Sequence, residues 1–93
     1  MSFVGCKAAD FRSVDAETFA QVIEDTTVVR LDVRTANEYT QGHIPNALLI
    51  DVTQADFMQK AEQLLPKDKT IALYCRSGRR SKKAAMQLAQ HGY

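Results

Sequence analysis

The residues with the clearest potential for chemistry form one short segment: Cys75, Arg76, Ser77, Gly78, Arg79, Arg80 and Ser81. An apolar run precedes this segment and a helical pattern follows it, which predicts a turn between a buried strand and a helix. At such a turn the backbone N–H groups converge on an anion. The helix dipole and nearby guanidinium groups lower the pKa of a cysteine there below ~8.5, which favours the thiolate near neutral pH. Gly78 allows the sharp turn, and Ser77 and Ser81 offer hydroxyl donors or a helix cap.

Two interpretations of Cys75 compete. A cysteine at the end of a buried strand is often only a small apolar core residue. Three arginines within five positions, however, lose hydration when they crowd together, unless an anion or carboxylates compensate. The sequence therefore favours a reactive thiolate inside a loop that binds a small anion.

A second polar segment follows another predicted strand and includes Asp32, Arg34, Glu38 and His43. Asp32 and Arg34 stand at the carboxyl end of that strand, from which they can approach the Cys75 loop. Arg34 and Glu38 are four positions apart around a helix start and could form an ion pair. One interpretation makes Asp32 or His43 a general acid or base, and the other makes these side chains braces for the loop. Bracing is favoured because a preformed thiolate needs no base to activate it.

The elements that must position these residues alternate between strands and helices. Four stretches have the apolar, β-branched character of strands: residues 11–14, 28–33, 47–50 and 70–74. Four stretches have helical patterns: residues 16–23, 35–41, 57–65 and about 78–91. Gly42, Pro66 and Gly92 mark helix ends. This alternation indicates an α/β fold with a mostly parallel sheet, in which ligands bind at the carboxyl ends of the strands.

The two polar segments together resemble the rhodanese family. The first contains Asp-Val-Arg, Glu-Tyr and Gly-His-Ile-Pro between Asp32 and Pro45, and the second begins at Cys75. The resemblance implies a rhodanese-like three-layer α/β domain over residues 11–93, with a mostly parallel five-stranded sheet and helices on both faces. Residues 1–10 are then an N-terminal segment. The last strand and helix of the family would follow the end of this sequence, so the domain is expected to be truncated at its C-terminus.

The resemblance also implies a sulfurtransferase that forms a persulfide on Cys75. The thiolate would attack the outer sulfur of thiosulfate or a similar donor, sulfite would leave, and cyanide or a thiol would accept the sulfane sulfur. The loop from Arg76 to Arg80 would hold the persulfide and attract the donor. The covalent persulfide replaces any cofactor. Supporting roles would fall to five further residues: Asp32, Arg34, Glu38, His43 and Ser81.

Other functions on the same fold stay open. A sulfur carrier loaded by a protein partner, or a regulatory binding module, could keep the same thiolate and anion-binding loop. A phosphatase or arsenate reductase is disfavoured, because phosphate-ester enzymes of this kind use Cys-x5-Arg. Here Arg80 is the fifth residue after Cys75 and Ser81 the sixth, so the shorter ring suits a sulfur atom better than a phosphoryl group.

Composition narrows the remaining possibilities. The chain has 93 residues, 45% hydrophobic and 25% charged, which is ordinary for one globular domain. A net charge of +1 argues against general nucleic-acid binding, and no apolar run approaches the ~20 residues of a membrane span. Cys6 and Cys75 are too few for a disulfide scaffold, and no cysteine or histidine spacing fits a metal site.

The sequence favours a cytoplasmic protein, because a reducing compartment keeps Cys75 free. Phe3-Val4-Gly5-Cys6 resembles the end of a bacterial lipoprotein signal. A periplasmic or lipid-anchored protein is therefore the alternative if an upstream signal has been removed. The expected partners are a small anionic sulfur donor and a thiol or cyanide acceptor, with a protein donor or acceptor as a further candidate. The sequence makes no prediction of the oligomeric state.

Overall fold

The strands and helices predicted from the sequence are present in the structure, a computed structural model that describes residues 2–7 and 9–93. Each lies within two residues of its predicted ends. One strand, β1, was not predicted. The elements in chain order are β1 (Ser2–Lys7), β2 (Asp10–Val14), α1 (Ala16–Val22), β3 (Val29–Asp32), α2 (Ala36–Gln41), β4 (Leu48–Leu49), α3 (Phe57–Leu64), β5 (Ile71–Cys75) and α4 (Arg79–Gln90).

A five-stranded sheet with the strand order β2-β1-β5-β3-β4 forms the centre of the molecule. β3 pairs in parallel with β4 and β5, whereas β1 pairs antiparallel with β2 and β5. Within the described part of the chain, β1 therefore runs against the other strands, which share one direction. The structure confirms a five-stranded sheet in which four strands run parallel, as predicted. Because β1 is antiparallel to them, the sheet is mixed.

The N-terminal segment contributes an interior strand, which the sequence analysis did not anticipate when it set residues 1–10 apart. β1 lies between β2 and β5, with Cys6 opposite Ile71. Val4 and Cys6 are buried in the core, so β1 belongs to the same packed unit as the rest of the domain. Met1 and Ala8 of this segment lie outside the described residues. A further strand was also expected after position 93, and that strand would lie outside this sequence, so the structure does not test it.

Helices cover both faces of the sheet, which confirms the predicted three layers. Alternate residues of β5 face opposite sides, as the strand period requires. Ile71, Leu73 and Cys75 pack into the core cluster that α3 and α4 cover, while Ala72 and Tyr74 pack into the cluster beneath α1. Every residue of β5 is buried, as expected for a strand covered on both faces.

The end of α4 follows the prediction made from Gly92. Gly92 has a φ of 89°, a value that favours glycine. The N–H groups of Gly92 and Tyr93 donate to the carbonyls of Ala89 and Leu88, respectively. This Schellman arrangement satisfies the last carbonyls of the helix, and it turns Tyr93 inward, where its side chain is buried.

The sheet register brings the two polar segments to one edge. Asp32, the last residue of β3, lies opposite Tyr74 of β5, so the chain leaves β3 and β5 side by side. The carboxyl ends of parallel strands form the usual ligand-binding edge of such sheets. The fold therefore places the Cys75 segment and the Asp32 segment together.

Candidate active site

Cys75 ends β5 with its sulfur enclosed by the turn into α4. Its Sγ atom accepts hydrogen bonds from the N–H groups of Gly78, at 3.0 Å, and Ser81, at 3.2 Å. Gly78 has a φ of 89°, a conformation that other residues rarely adopt, and this turns its N–H toward the sulfur. Cys75 has 0% exposed surface. The sulfur thus lies beneath the loop, held by backbone donors.

The environment of Cys75 favours its thiolate. Burial alone would raise the pKa of the thiol, but hydrogen bonds from Ser81, Gly78 and Ser77 outweigh burial and lower the pKa below its ordinary value of 9.0. The side chain and the N–H of Ser81 both contribute to this lowering, and the Ser81 hydroxyl donates to the Gly78 carbonyl at 3.2 Å. The arginine charges, which were predicted to act together with the helix dipole, are not among these main causes. Ser81 therefore contacts the sulfur directly instead of only supporting the loop.

Cys6 has the opposite character. Burial, followed by the nearby charge of Asp10, raises the pKa of its thiol to about 11. Its Sγ donates to the Tyr93 carbonyl at 3.3 Å, and both cysteines are free. Because Cys6 lies opposite the first residue of β5 and Cys75 is the last, the two sulfurs lie at opposite ends of that strand. Cys75 alone of the two has the environment of a nucleophile.

Arg80 forms an ion pair with Glu38 and is therefore not available to bind an anion in the loop. Its guanidinium donates to both Glu38 oxygens, at 2.7 and 3.0 Å. Glu38 in turn closes the capping box with Thr35 at the start of α2, as predicted. The ion pair proposed between Arg34 and Glu38 is wrong. Arg34 precedes the N-cap residue Thr35, so it is not on the helix and the four-residue spacing brings no contact.

Arg34 pairs instead with Asp32. The Arg34 backbone N–H and guanidinium donate to the Asp32 carboxylate at 2.7 to 3.1 Å, and the guanidinium also donates to the Gly42 carbonyl at 2.7 Å. Arg34 lies 5.4 Å from the centre of the Tyr74 ring. Asp32 has no exposed surface, and its oxygens are occupied by these donors. These contacts brace the end of β3 against the turn after α2.

His43 makes its contacts within its own segment. Its ring stacks on Tyr39 with centroids 3.6 Å apart, and Nδ1 lies 2.8 Å from the Tyr39 carbonyl. The Tyr39 hydroxyl donates to the Ala47 carbonyl, so the stacked pair fixes the chain between α2 and β4. The structure does not bring His43 to the sulfur. A general acid or base role for His43 or Asp32 has no geometric support.

Two cavities flank the Cys75 loop. One, of about 340 Å³, is lined by Arg34, Glu38, Gln41, Gly42 and Arg76. The other, of about 410 Å³, is lined by Ser13, Ser77, Gly78, Arg79 and Lys82. Arg76 and Arg79 are exposed, and neither forms an ion pair with another described residue. These two arginines are therefore available to an anion approaching from either side.

Sequence reasoning missed one residue that lines the site and one that packs behind it. Tyr74 precedes Cys75 and faces the opposite side of the sheet, where its hydroxyl accepts from the Ile44 N–H at 2.9 Å. Because side chains alternate along a strand, the residue before Cys75 could have been expected to face the other side of the sheet. Ser13 lines the second cavity, but it comes from β2, and only the strand order reveals that β2 reaches this edge.

Two further features of the described residues concern metals and membranes. Among residues 2–7 and 9–93, no three His, Cys, Asp or Glu side chains come close enough together to hold a metal ion. Within the same residues, no helix has the length and apolar character needed to cross a membrane.

Comparisons with known proteins agree with the fold. The family model for the rhodanese-like domain matches residues 15–93. The chain therefore belongs to the rhodanese-like family. It is 38% identical over 81 residues to a sulfurtransferase of Allochromatium vinosum, a match that covers 86% of this chain and 73% of that protein. The predicted family membership is thus confirmed.

Two other relatives are named for functions other than that of a sulfurtransferase. A Bacillus subtilis protein named "Putative sulfur carrier protein YrkF" is 32% identical over 87 residues, which cover 92% of this chain and 45% of that protein. A tRNA uridine(34) hydroxylase of Erwinia tasmaniensis is 37% identical over 75 residues, which cover 77% of this chain and 21% of that protein. The chain spans less than half the length of these two relatives. Family membership alone therefore does not fix the donor or acceptor.

Proposed function

We propose that this protein is a sulfurtransferase in which Cys75 carries a sulfane sulfur as a persulfide. The observation that carries the proposal is the Cys75 sulfur itself, with a lowered pKa and hydrogen bonds from Gly78 and Ser81. A thiolate is the nucleophilic form of cysteine, and the same N–H donors can hold the negative charge of a persulfide. Support also comes from the similarity to a protein named as a sulfurtransferase.

The proposed reaction has two balanced steps. The Cys75 thiolate attacks the outer sulfur of thiosulfate, the sulfur–sulfur bond of the donor breaks, and sulfite leaves with the electron pair. The acceptor, a thiolate or cyanide, then attacks the outer sulfur of the persulfide and releases the Cys75 thiolate. This is covalent catalysis with two half-reactions. The reaction needs no cofactor, because the sulfur stays covalently bound between the two steps.

Arg76 and Arg79 are the residues we expect to attract the anionic donor. Both are exposed and border the cavities on either side of the loop. Because Cys75 has no exposed surface, the donor reaches the sulfur only when the residues that cover it move aside. Arg80 would not take part, since Glu38 already holds its guanidinium.

The contact between Arg80 and Glu38 also argues against phosphoryl transfer. A phosphatase of the Cys-x5-Arg type needs a free arginine facing the loop to bind the phosphate oxygens. Here Ser81 occupies the sixth position after Cys75, and its N–H donates to the sulfur. The site thus has hydrogen-bond donors for one sulfur atom, and it lacks the arginine at the sixth position after Cys75 that a Cys-x5-Arg phosphatase uses.

A sulfur carrier is the second candidate function, and the burial of Cys75 favours it. A thiol covered by its loop suits exchange with a partner that displaces the loop. One relative is also named as a carrier. A carrier and a small-molecule enzyme share the persulfide on Cys75, and they differ in the source and destination of the sulfur.

The experiment that tests the proposal measures thiocyanate formed from thiosulfate and cyanide. We expect Cys75→Ser to abolish this activity, because the thiolate is the atom that receives the sulfur. The matched control is Cys6→Ser, which should keep the activity, since the Cys6 thiol is buried with a pKa raised to about 11. Activity that survives in Cys75→Ser would overturn the proposal.

A further inference from the structure

Positive charge is concentrated at the C-terminal end of the chain. Residues 75–93 contain five basic residues and no acidic residue, and all 11 acidic residues of the protein precede them. The net charge of +1 thus conceals a strong separation of charge. The five basic residues are Arg76, Arg79, Arg80, Lys82 and Lys83.

Most of these charges are not neutralised within the described part of the chain. Arg80 pairs with Glu38, whereas the other four form no ion pair with a described residue. All four are exposed. Like charges so close together repel one another. Such a surface is stabilised when an anionic partner binds to it.

An exposed methionine lies among these charges. Met86 is 49% exposed, whereas Ala84, Ala85 and Leu88 on the inner side of α4 fill the core. The core therefore does not need the Met86 side chain, which lies in a shallow groove of about 400 Å³. We call the residues that line this groove the basic face: Arg79, Lys82, Lys83, Met86, Gln87 and Gln90.

The basic face is continuous with the Cys75 loop. Arg79 and Lys82 line both the groove and the cavity over Ser77 and Gly78. At ~1.5 Å per residue, Met86 lies roughly 10 Å along α4 from its first residue. A partner seated on the basic face could therefore place a reactive group at the loop.

We propose that the basic face docks an acidic protein segment carrying a thiol, to which Cys75 passes its sulfane sulfur. The inference rests on the proposed function and names its acceptor class. The partner thiolate attacks the outer sulfur of the Cys75 persulfide, the bond between the two sulfurs breaks, and the Cys75 thiolate is restored. Attraction between opposite charges speeds encounter and fixes the orientation. The flexible Met86 side chain suits contact with an apolar residue of the partner.

The composition of the basic face favours a protein over a nucleic acid. Proteins that bind single-stranded nucleic acid stack its bases on aromatic side chains. No residue lining the groove is aromatic. The face runs along a single helix of about three turns, so it fits a short acidic segment.

The test uses two synthetic peptides of equal length, each with one cysteine. One carries four aspartates at least three positions from the cysteine, and the other carries asparagines instead. The protein is loaded with thiosulfate, and transfer of sulfur to each peptide is followed by mass spectrometry. We expect transfer to the acidic peptide to be at least fivefold faster at low ionic strength, with the preference lost at high salt because charges are then screened.

Two charge-reversal variants test whether the basic face causes the preference for the acidic peptide. Lys83→Glu should abolish the preference for the acidic peptide, because it reverses an exposed charge that lines the groove. Lys69→Glu is the matched control. Lys69 is exposed and precedes β5, at the end of the strand opposite Cys75, so this variant should retain the preference. Binding of fluorescent peptides to the unloaded protein should follow the same order.

Different failures have different meanings. Equal transfer to both peptides, or a preference that survives Lys83→Glu, would overturn the docking proposal. A uridine-rich RNA oligonucleotide that binds more tightly than the acidic peptide would overturn it as well and assign the face to nucleic acid. If thiosulfate does not load Cys75, the proposed function fails, and the peptide-binding measurement still decides whether the basic face selects acidic segments.

Discussion

Replacing Glu38 with glutamine removes the charge that ties the Cys75 loop to α2. Both Glu38 oxygens accept hydrogen bonds from Arg80. The pKa of Glu38 is lowered to about 2 from an ordinary 4.5, chiefly by the Arg80 hydrogen bond. Glutamine can still close a capping box with Thr35, so Glu38→Gln isolates the ion pair from the helix cap.

The expected magnitude follows from that pKa. A change from 4.5 to about 2 corresponds to about 3 kcal/mol, since one pKa unit is ~1.4 kcal/mol. The side chains of Arg80 and Glu38 are 24% and 19% exposed, so solvent screens the pair. We therefore expect Glu38→Gln to reduce the free energy of unfolding by about 1–2 kcal/mol at pH 7.

The loss should depend on pH. The pKa of Glu38 is lower in the folded protein than in the unfolded chain, so its contribution is present above about pH 5 and is lost as the pH falls toward about 2. Urea unfolding of the wild type and of Glu38→Gln, at pH 7 and pH 3, measures both effects. The difference between the two proteins should shrink at the lower pH.

A surface pair provides the control. Glu62 pairs with Lys67 at 3.2 Å, and their side chains are 39% and 51% exposed, so Glu62→Gln should cost less than about 0.5 kcal/mol. If Glu38→Gln costs no more than Glu62→Gln at pH 7, the ion pair does not hold the loop. A difference that persists undiminished at pH 3 would likewise refute the electrostatic reasoning.

Two further predictions concern the site itself. The ultraviolet absorbance of the Cys75 thiolate is obtained by subtracting the spectrum of Cys75→Ser from that of the wild type. It should develop with a midpoint below that of a free cysteine, ~8.5, because hydrogen bonds lower the pKa of this thiol. The absorbance of the Cys6 thiolate, obtained in the same way with Cys6→Ser, should develop near pH 11. A Cys75 midpoint no lower than that of a free cysteine, ~8.5, would contradict the donor geometry. Arg76→Ala should raise KM for thiosulfate several-fold and change KM for an uncharged persulfide donor less, since Arg76 faces the cavity as an unpaired cation among the described residues. Equal increases for both donors would remove Arg76 as the anion anchor.

Local signals in the sequence predicted the elements that position the site. The capping box of Thr35 and Glu38, the helix end at Gly42 and the turn at Gly78 depend on neighbouring residues, and the structure confirms them. Such signals act over a few positions, where spacing along the chain fixes spacing in space. The Cys75 turn between strand and helix was predictable for the same reason.

Pairings between distant segments could not be predicted in this way. Glu38 pairs with Arg80, 42 positions later, because β3 and β5 end at the same edge of the sheet. The expectation that Glu38 would pair with Arg34 applied a helical rule to a residue that lies before the helix. Only the register of the strands identifies the correct partners.

The interior strand β1 was missed for a related reason. Residues 2–7 contain Gly5, a residue type that strands disfavour, and Phe3-Val4-Gly5-Cys6 resembles the end of a lipoprotein signal. Their burial comes from pairing with β2 and β5, which is a property of the assembled sheet. The same nonlocal contacts keep Cys6 buried and unlike Cys75.

The most direct test of the central claim is the intact mass of the protein after incubation with thiosulfate and after a chase with cyanide. We predict a gain of one sulfur atom that cyanide removes, present in Cys6→Ser and absent in Cys75→Ser. The same gain in Cys75→Ser would contradict the assignment of the persulfide to Cys75, whereas no gain in the wild type would contradict thiosulfate as the donor and favour a carrier loaded by a protein partner or a binding module.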